Sequence, residues 1–373
     1  MYSLAERDRR WELARALMDA AGVDALIVYG EPSAVMSPDS YFTGGPPGAL
    51  VLFPRYGGPL VLGDRPGPWI EDVRPARHAY GLADALKERR LTHARVGVLG
   101  LEPYAAEHGG SPLPYTLWAT FLGLLPQTVF VPVWSQFVRS AMSQSSEEIA
   151  VLAECGRIGA VMADALRAAV RPGADPLEPY AAAMHAGQVR GADPEVRLSC
   201  GPGLGQELGP GLGQGLGRGA PLRDGDVVLA ELNCRYRGRE THRTLTVPVG
   251  PPAPELAPAL RAARASHRAG LRALRPGLLF GRVADAMRIS LERSGGRSSR
   301  PLIRGLNPRG VCGGVEPGPR SPTVGYDLPV GPGMTFALHV TCDLGHGTVT
   351  YGDTVVIGST GPRVIDRLAG YTR

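Results

Sequence analysis

The chain has 373 residues, long enough for one large core or two ordinary ones, and two domains is the expectation. Its 40 Lys+Arg against 35 Asp+Glu leave a formal charge of +5 with no dense basic run, which argues against a nucleic-acid footprint. No apolar run reaches the roughly 18 residues a membrane helix needs, and the opening MYSLAERDRRWELARAL is too charged for a secretory core, so no membrane association and cytoplasmic residence are expected.

Trp11, Leu13, Leu17 and Met18 recur at helical spacing in a charged segment, predicting an amphipathic helix over 4–21 closed by Gly22. Strands are predicted at Ala25–Tyr29, Ala49–Phe53, Leu60–Leu62, Val96–Leu99 and Thr128–Val133, with helical stretches near 82–90 and 113–125. This alternation describes a small α/β domain over 1–138. Ser145-Ser146-Glu147-Glu148 then reads as a capping box opening a long helix through Val170, inside a second domain over 139–373.

That second domain repeats itself. A helix ending in Val170-Arg171-Pro172-Gly173 precedes a helical stretch at 176–190 and strands; a helix ending in Leu274-Arg275-Pro276-Gly277 precedes one at 280–294 and strands again, 104 residues on. The repeated element order implies a pseudo-twofold α+β domain, although Arg-Pro-Gly alone is also a common helix stop. Between the first helix pair and its strands lies the glycine-rich stretch Gly201–Gly219, which carries GPGLGQ twice. It lacks the Lys-Ser/Thr ending of a phosphate loop and reads as a flexible lid or a low-complexity expansion. The five cysteines, an odd number without C-x-x-C spacing, point to neither a disulfide framework nor a zinc knuckle.

Several stretches in this order resemble the pita-bread family of creatinase, proline-specific aminopeptidases and methionine aminopeptidase, in its two-domain creatinase-like branch. They are Tyr41-Phe42-Thr43-Gly44, Gly48–Phe53, Gly57–Asp64, Ser145–Glu148, Gly225-Asp226-Val227-Val228-Leu229, Thr244–Gly250, Gly331–Phe336 and Asp353-Thr354-Val355-Val356. The resemblance covers nearly the whole chain. It implies an α+β fold class, with a small α/β N-terminal domain and a duplicated pita-bread domain whose helices lie outside a curved sheet that lines the site. It also implies a homodimer in which one subunit's N-terminal domain helps roof its partner's pocket.

The resemblance further implies a pair of divalent metals held by two aspartates, one histidine and two glutamates. At those positions this chain carries Glu231, His242, the pair Asn307-Pro308, His339 and Gly352. A dinuclear centre is therefore not expected, because the carboxylates and histidine that would build it are replaced. The substrate-facing histidine that follows the first Gly-Pro is also missing after Gly201-Pro202.

Strand alternation places Ala337, His339, Thr341 and Asp343 on one face and Phe336, Leu338, Val340 and Cys342 on the other; likewise His242 lies with Thr244 and Thr246, and Glu231 with Leu229 and Asn233. Three readings follow. In the first, His242 or His339 acts as a general base, with Glu231 orienting the ring or stabilising its charged form, and no metal takes part. Arg243, Arg304 and Arg309 would clamp a substrate carboxylate, and Glu316 is a further substrate-binding candidate. This suits cleavage of a C–N bond in a small, amino-acid-like, carboxylate-bearing substrate. In the second, Glu231, His242 and His339 bind one divalent ion as a two-histidine, one-carboxylate site. In the third, the fold persists as a noncatalytic scaffold or binding protein.

The other histidines carry less. His346 reads as a hairpin residue able to swing toward the pocket. His78, His93, His108, His185 and His267 have no acidic or cysteine partner at useful spacing. Gln206 and Glu207 stand where a substrate-facing group would be expected.

Overall fold

The computed structural model describes residues 2–31, 37–63, 67–75, 78–102, 112–202, 220–298, 300–308, 312–313, 327–344 and 347–365. The chain divides into two compact units, one formed by Met1–Met142 with Pro308–Gly310 and the other by Ser143–Asn307 with Val311–Arg373.

The first unit runs α1 (Leu4–Ala21), β1 (Ala25–Tyr29), α2 (Pro38–Thr43), β2 (Leu50–Pro54), β3 (Leu60–Leu62), β4 (Asp72–Arg74), α3 (Ala79–Glu88), β5 (Arg95–Leu99), α4 (Tyr115–Leu124), β6 (Val129–Pro132) and α5 (Trp134–Ala141). Its sheet has the order β4-β3-β2-β1-β5-β6, with β1, β5 and β6 parallel and β2 antiparallel to β1. The strands β1, β2 and β3 are buried along their whole length, as their unbroken apolar runs require. Helix α1 begins where the Ser3 side chain accepts from the Glu6 amide and ends where Gly22 turns left-handed at φ +61°. Its buried stripe is Glu6, Arg10, Ala14, Leu17 and Met18, so the apolar spacing that identifies the helix misses Glu6, Arg10 and Ala14. Arg10 Nε meets Glu6 Oε1 at 2.7 Å, and its guanidinium lies 4.5 Å from the centre of the Tyr41 ring.

The second unit runs α6 (Ser146–Ala169), α7 (Leu177–Gln188), β7 (Asp193–Pro202), β8 (Asp226–Tyr236), β9 (Arg239–Pro248), α8 (Leu256–Ala273), α9 (Phe280–Arg293), β10 (Ile303–Leu306), β11 (Cys312–Gly313), β12 (Thr335–Asp343), β13 (Thr348–Ile357) and β14 (Pro362–Val364). Both hydrogen bonds of the capping box form at the start of α6: Glu148 N donates to Ser145 Oγ, and Ser145 N donates to Glu148 Oε2. The sheet order β11-β10-β12-β13-β9-β8-β7 places β9 beside β13, flanked by β8 and β12, then by β7 and β10. Each half therefore supplies a helix pair and three strands that run from edge to centre in chain order, β7-β8-β9 and β10-β12-β13, and the second half adds β11 and β14.

The two faces of this sheet differ in chemistry. On one face Val228, Ala230, Leu232 and Cys234 pack with Ile158, Met162 and Leu166 of α6, and Phe336 stacks near Phe280 of α9 at 5.7 Å. The other face carries threonines and charged side chains. A buried polar brace ties the start of α6 to this sheet: Arg239 Nη2 meets Glu148 Oε1 at 2.9 Å, and Arg239 Nη1 donates to Gln144 Oε1 at 2.6 Å. The Gln144 amide donates in turn to the Asn307 carbonyl.

Candidate active site

Cross-strand register assembles the site. Arg197, Glu231, Thr244, Gly352 and His339 stand opposite one another in a single row across β7, β8, β9, β13 and β12. One residue pair along, Glu195 faces Asn233 and Asn233 faces His242, while Arg304 of β10 faces Ala337. Because opposite residues share a face, Glu231, His242, His339, Asn233 and Arg304 all stand on the polar side.

The side chains converge. The His242 and His339 ring centres are 4.9 Å apart, and Glu231 Oε1 lies 3.5 Å from His242 Nδ1. Two shorter contacts reach the same nitrogen, from Asn233 Oδ1 at 2.7 Å and from Arg304 Nη2 at 2.7 Å. Asn233, and not Glu231, is thus the oxygen partner in hydrogen-bond range of the ring. Thr354 fixes the backbone beneath it, since Thr354 Oγ1 accepts from the His242 amide at 2.8 Å and donates to the His242 carbonyl at 2.9 Å. His339 has room because its neighbour across the ladder is Gly352.

The carboxylate is surrounded by positive charge. Arg304 Nη2 is 3.5 Å from Glu231 Oε1, and Arg300 Nη1 is 3.4 Å from Oε2. Burial by itself would push the Glu231 carboxyl up, but the Arg304 guanidinium, then His339, Arg197 and Arg300, outweigh it and hold the group below the ordinary glutamate range. Glu231, His242 and His339 are all buried, whereas Arg300 and Arg304 reach partly to the surface, with side-chain exposures of 25% and 13%.

The same geometry tests whether a divalent ion fits. A guanidinium already lies against both the carboxylate and His242 Nδ1, so an ion between those ligands would meet a fixed positive charge. Among the described residues, no group of three or more His, Cys, Asp or Glu side chains is placed to hold a metal. The two-histidine, one-carboxylate ion site does not fit this arrangement of side chains.

Arg243 departs from the expectation of a pocket arginine. Its neighbours along β9 alternate, so it points to the helix-covered face, where Nη2 meets Asp353 Oδ1 at 3.2 Å and the residue is buried. Asp353 also lies 3.6 Å from His267 Nε2, which corrects the reading of His267 as lacking an acidic partner. Burial first, and Arg268 to a lesser degree, push the His267 imidazole down against the opposing pull of Asp353. Arg309, Glu316, Gln206, Glu207, His108 and His346 lie outside the described residues. Asn307 sits at φ +57°, accepts from the Glu240 amide through Oδ1 and donates to its carbonyl through Nδ2, so it serves as a backbone bracket.

Two members of the cluster, Asn233 and Arg300, carried no role in the sequence reading. Asn233 was legible, because it stands two residues from Glu231 in one strand. Arg300 precedes its strand in an irregular segment where no periodicity applies.

The family comparison accords with this frame. Residues 213–359 match the model of metallopeptidase family M24. In structure the chain is similar to the Xaa-Pro dipeptidase from Bacillus anthracis, with 17% identity and a TM-score of 0.77 over 97% of this chain and 98% of that one. It is similar to the prolidase from Pyrococcus horikoshii OT3, with 16% identity and a TM-score of 0.77 over 98% and 100% of the two chains. The proline aminopeptidase P II from Yersinia pestis gives 18% identity and a TM-score of 0.71 over 98% and 96%. No curated protein matches the chain in sequence. Residues 213–359 thus match the metallopeptidase family M24 model, and the chain shares the fold of these dipeptidase, prolidase and aminopeptidase structures.

Proposed function

We propose that the protein is a hydrolase of this fold that cleaves a C–N bond in a small, amino-acid-like, carboxylate-bearing substrate by imidazole acid–base chemistry, without a dinuclear metal centre. The observation that carries this reading is the pairing of His242 and His339 at 4.9 Å beside an arginine-bound carboxylate. The positions where the family resemblance implies metal ligands hold His242, His339 and Gly352, and Arg304 occupies the space beside Glu231 and His242.

His242 Nδ1 has one in-plane site, yet both Asn233 Oδ1 and Arg304 Nη2 lie 2.7 Å from it. In the neutral ring, one tautomer donates to Asn233 and the other accepts from Arg304. Both proton positions are provided for, which suits a proton-transfer group. His339, the less buried imidazole, takes the proton of an attacking water and passes it through the adjacent His242 to the leaving nitrogen as the C–N bond breaks, so that both rings end neutral. Arg300 and Arg304, which open partly toward the surface, receive the substrate carboxylate.

The test is a mass-spectrometric screen of N-acyl and N-amidino amino acids and Xaa-Pro dipeptides, using chelator-treated protein beside His339→Ala and His242→Ala. Conversion that survives chelation and falls about 100-fold or more in either variant is the expected result. Activity appearing only after manganese or cobalt is restored contradicts the proposal, as does conversion indifferent to both substitutions. If no member of the panel turns over, the proposal fails and the scaffold reading takes its place.

A further inference from the structure

The Arg-Pro-Gly tripeptide occurs once in each half of the second unit, and the two copies differ in how their arginines are used. In the first, Arg171 Nη2 meets Glu178 Oε2 at 2.7 Å, so the guanidinium is neutralised within its own half. The residue equivalent to Glu178, 104 positions on, is Arg282. The second copy has exchanged the acid for another cation. Among the described residues Arg275 has no carboxylate partner, and its guanidinium lies over the backbone of Gly361, where a Cβ would come within 2.6 Å of Nη1.

Arg275 lines a cleft of about 860 Å³ between the end of α8 and the turn joining β13 to β14. Arg272 and Arg363 line it too, with the hydroxyl residues Ser359 and Thr360, and all three arginines are exposed. A cation near a helix C-terminus needs no ligand to explain it, because the helix dipole favours it there. That accounts for Arg272. It does not account for Arg363, which comes from β14, or for the loss of the acid that balances the equivalent arginine in the other half. Neither Arg272 nor Arg363 engages a carboxylate among the described residues.

We propose that this cleft is a binding site for a small phosphorylated molecule carrying at least two negative charges. Guanidinium groups take phosphate oxygens two at a time, hydroxyls add further donors, and the volume falls within the roughly 300–1,000 Å³ of ordinary small-molecule sites. The site is separate from the imidazole cluster and stands whether or not the reading of that cluster holds.

Isothermal titration with inorganic pyrophosphate at constant ionic strength tests it on the full chain, with citrate as a polyanion lacking phosphorus. Saturable pyrophosphate binding is expected. Its Kd should rise about tenfold or more in the triple variant Arg272→Ala, Arg275→Ala, Arg363→Ala and stay unchanged in Arg171→Ala, the ion-paired counterpart. Circular dichroism establishes that the triple variant is folded, and Arg275→Lys, which keeps the charge and loses the planar fork, should weaken binding by a smaller factor. Absence of saturable binding by the wild type overturns the proposal. So does binding that survives the triple substitution, an equal loss in Arg171→Ala, or citrate binding as tight as that of pyrophosphate.

Discussion

Gly352 stands directly across the β12–β13 ladder from His339, and a Cβ added at 352 would come within 2.6 Å of His339 Cα and 2.8 Å of His339 Cβ. The missing side chain is what lets this imidazole lie near His242. It also means that a carboxylate cannot be placed at 352 without moving β12.

Gly352→Ala is therefore expected to cost about 1–3 kcal/mol, and Gly352→Glu more, because the obstruction is backbone and cannot rotate away. Chemical denaturation measures both. A neutral Gly352→Ala would show that β12 yields easily and that the glycine does not shape the site.

Removing Arg304 exposes the balance that keeps Glu231 ionised. In the wild type the carboxyl is held low, so its contribution to stability is present above the unfolded-state value and lost as pH falls through the folded one. Arg304→Ala leaves burial, which pushes the group up, opposed only by His339, Arg197 and Arg300, and a deficit of up to about 3–5 kcal/mol is expected near neutral pH. That deficit should shrink at about pH 5, where a buried glutamic acid can take its proton. Urea unfolding at the two pH values checks this, and an equal deficit at both would contradict it.

His267 works in the opposite sense. Its imidazole is pushed down by burial, so the unfolded chain takes up a proton before the folded one does, and stability falls as pH drops below the ordinary histidine value. The unfolding midpoint should fall between about pH 7.5 and about pH 5.5, and it should fall less in His267→Gln. An identical slope in the variant would assign the pH dependence elsewhere.

The Glu148–Arg239 pair, buried on both sides, joins α6 to β9 through a 2.9 Å contact. Glu148→Gln strands the guanidinium and should cost about 3–5 kcal/mol, whereas replacing both partners with Leu and Met should cost less than the single change. Thermal unfolding of the three proteins distinguishes a brace from an incidental pair. Equal losses in the single and double variants would count against the stranded-charge explanation.

Much of the fold was legible because apolar spacing and capping chemistry are local. Helix α1, the Ser145–Glu148 box and strand β1 lie where their residues place them. Helices α2 and α5 were not legible: at six and eight residues they are too short to show a period, and tertiary packing decides them. In the site, strand alternation set His242, His339 and Glu231 each on a face of its own strand, and only the family resemblance implied that those faces line one site. It could not rank the partners of His242, because the contacts of Asn233 and Arg304 depend on register between strands. Arg243 was misjudged for nearness in sequence to His242, although alternation turns adjacent strand residues to opposite faces.

In the proposed function, Arg304 and the paired imidazoles form a proton-transfer site where the family resemblance implies metals. Elemental analysis of protein purified without chelators and then dialysed against manganese, iron(II) or zinc tests it most directly, run beside His242→Ala and His339→Ala. The expected result is well below about one ion per chain for the wild type, indistinguishable from the two variants. A wild type that retains about one or two ions per chain, and loses them in both variants, would contradict it.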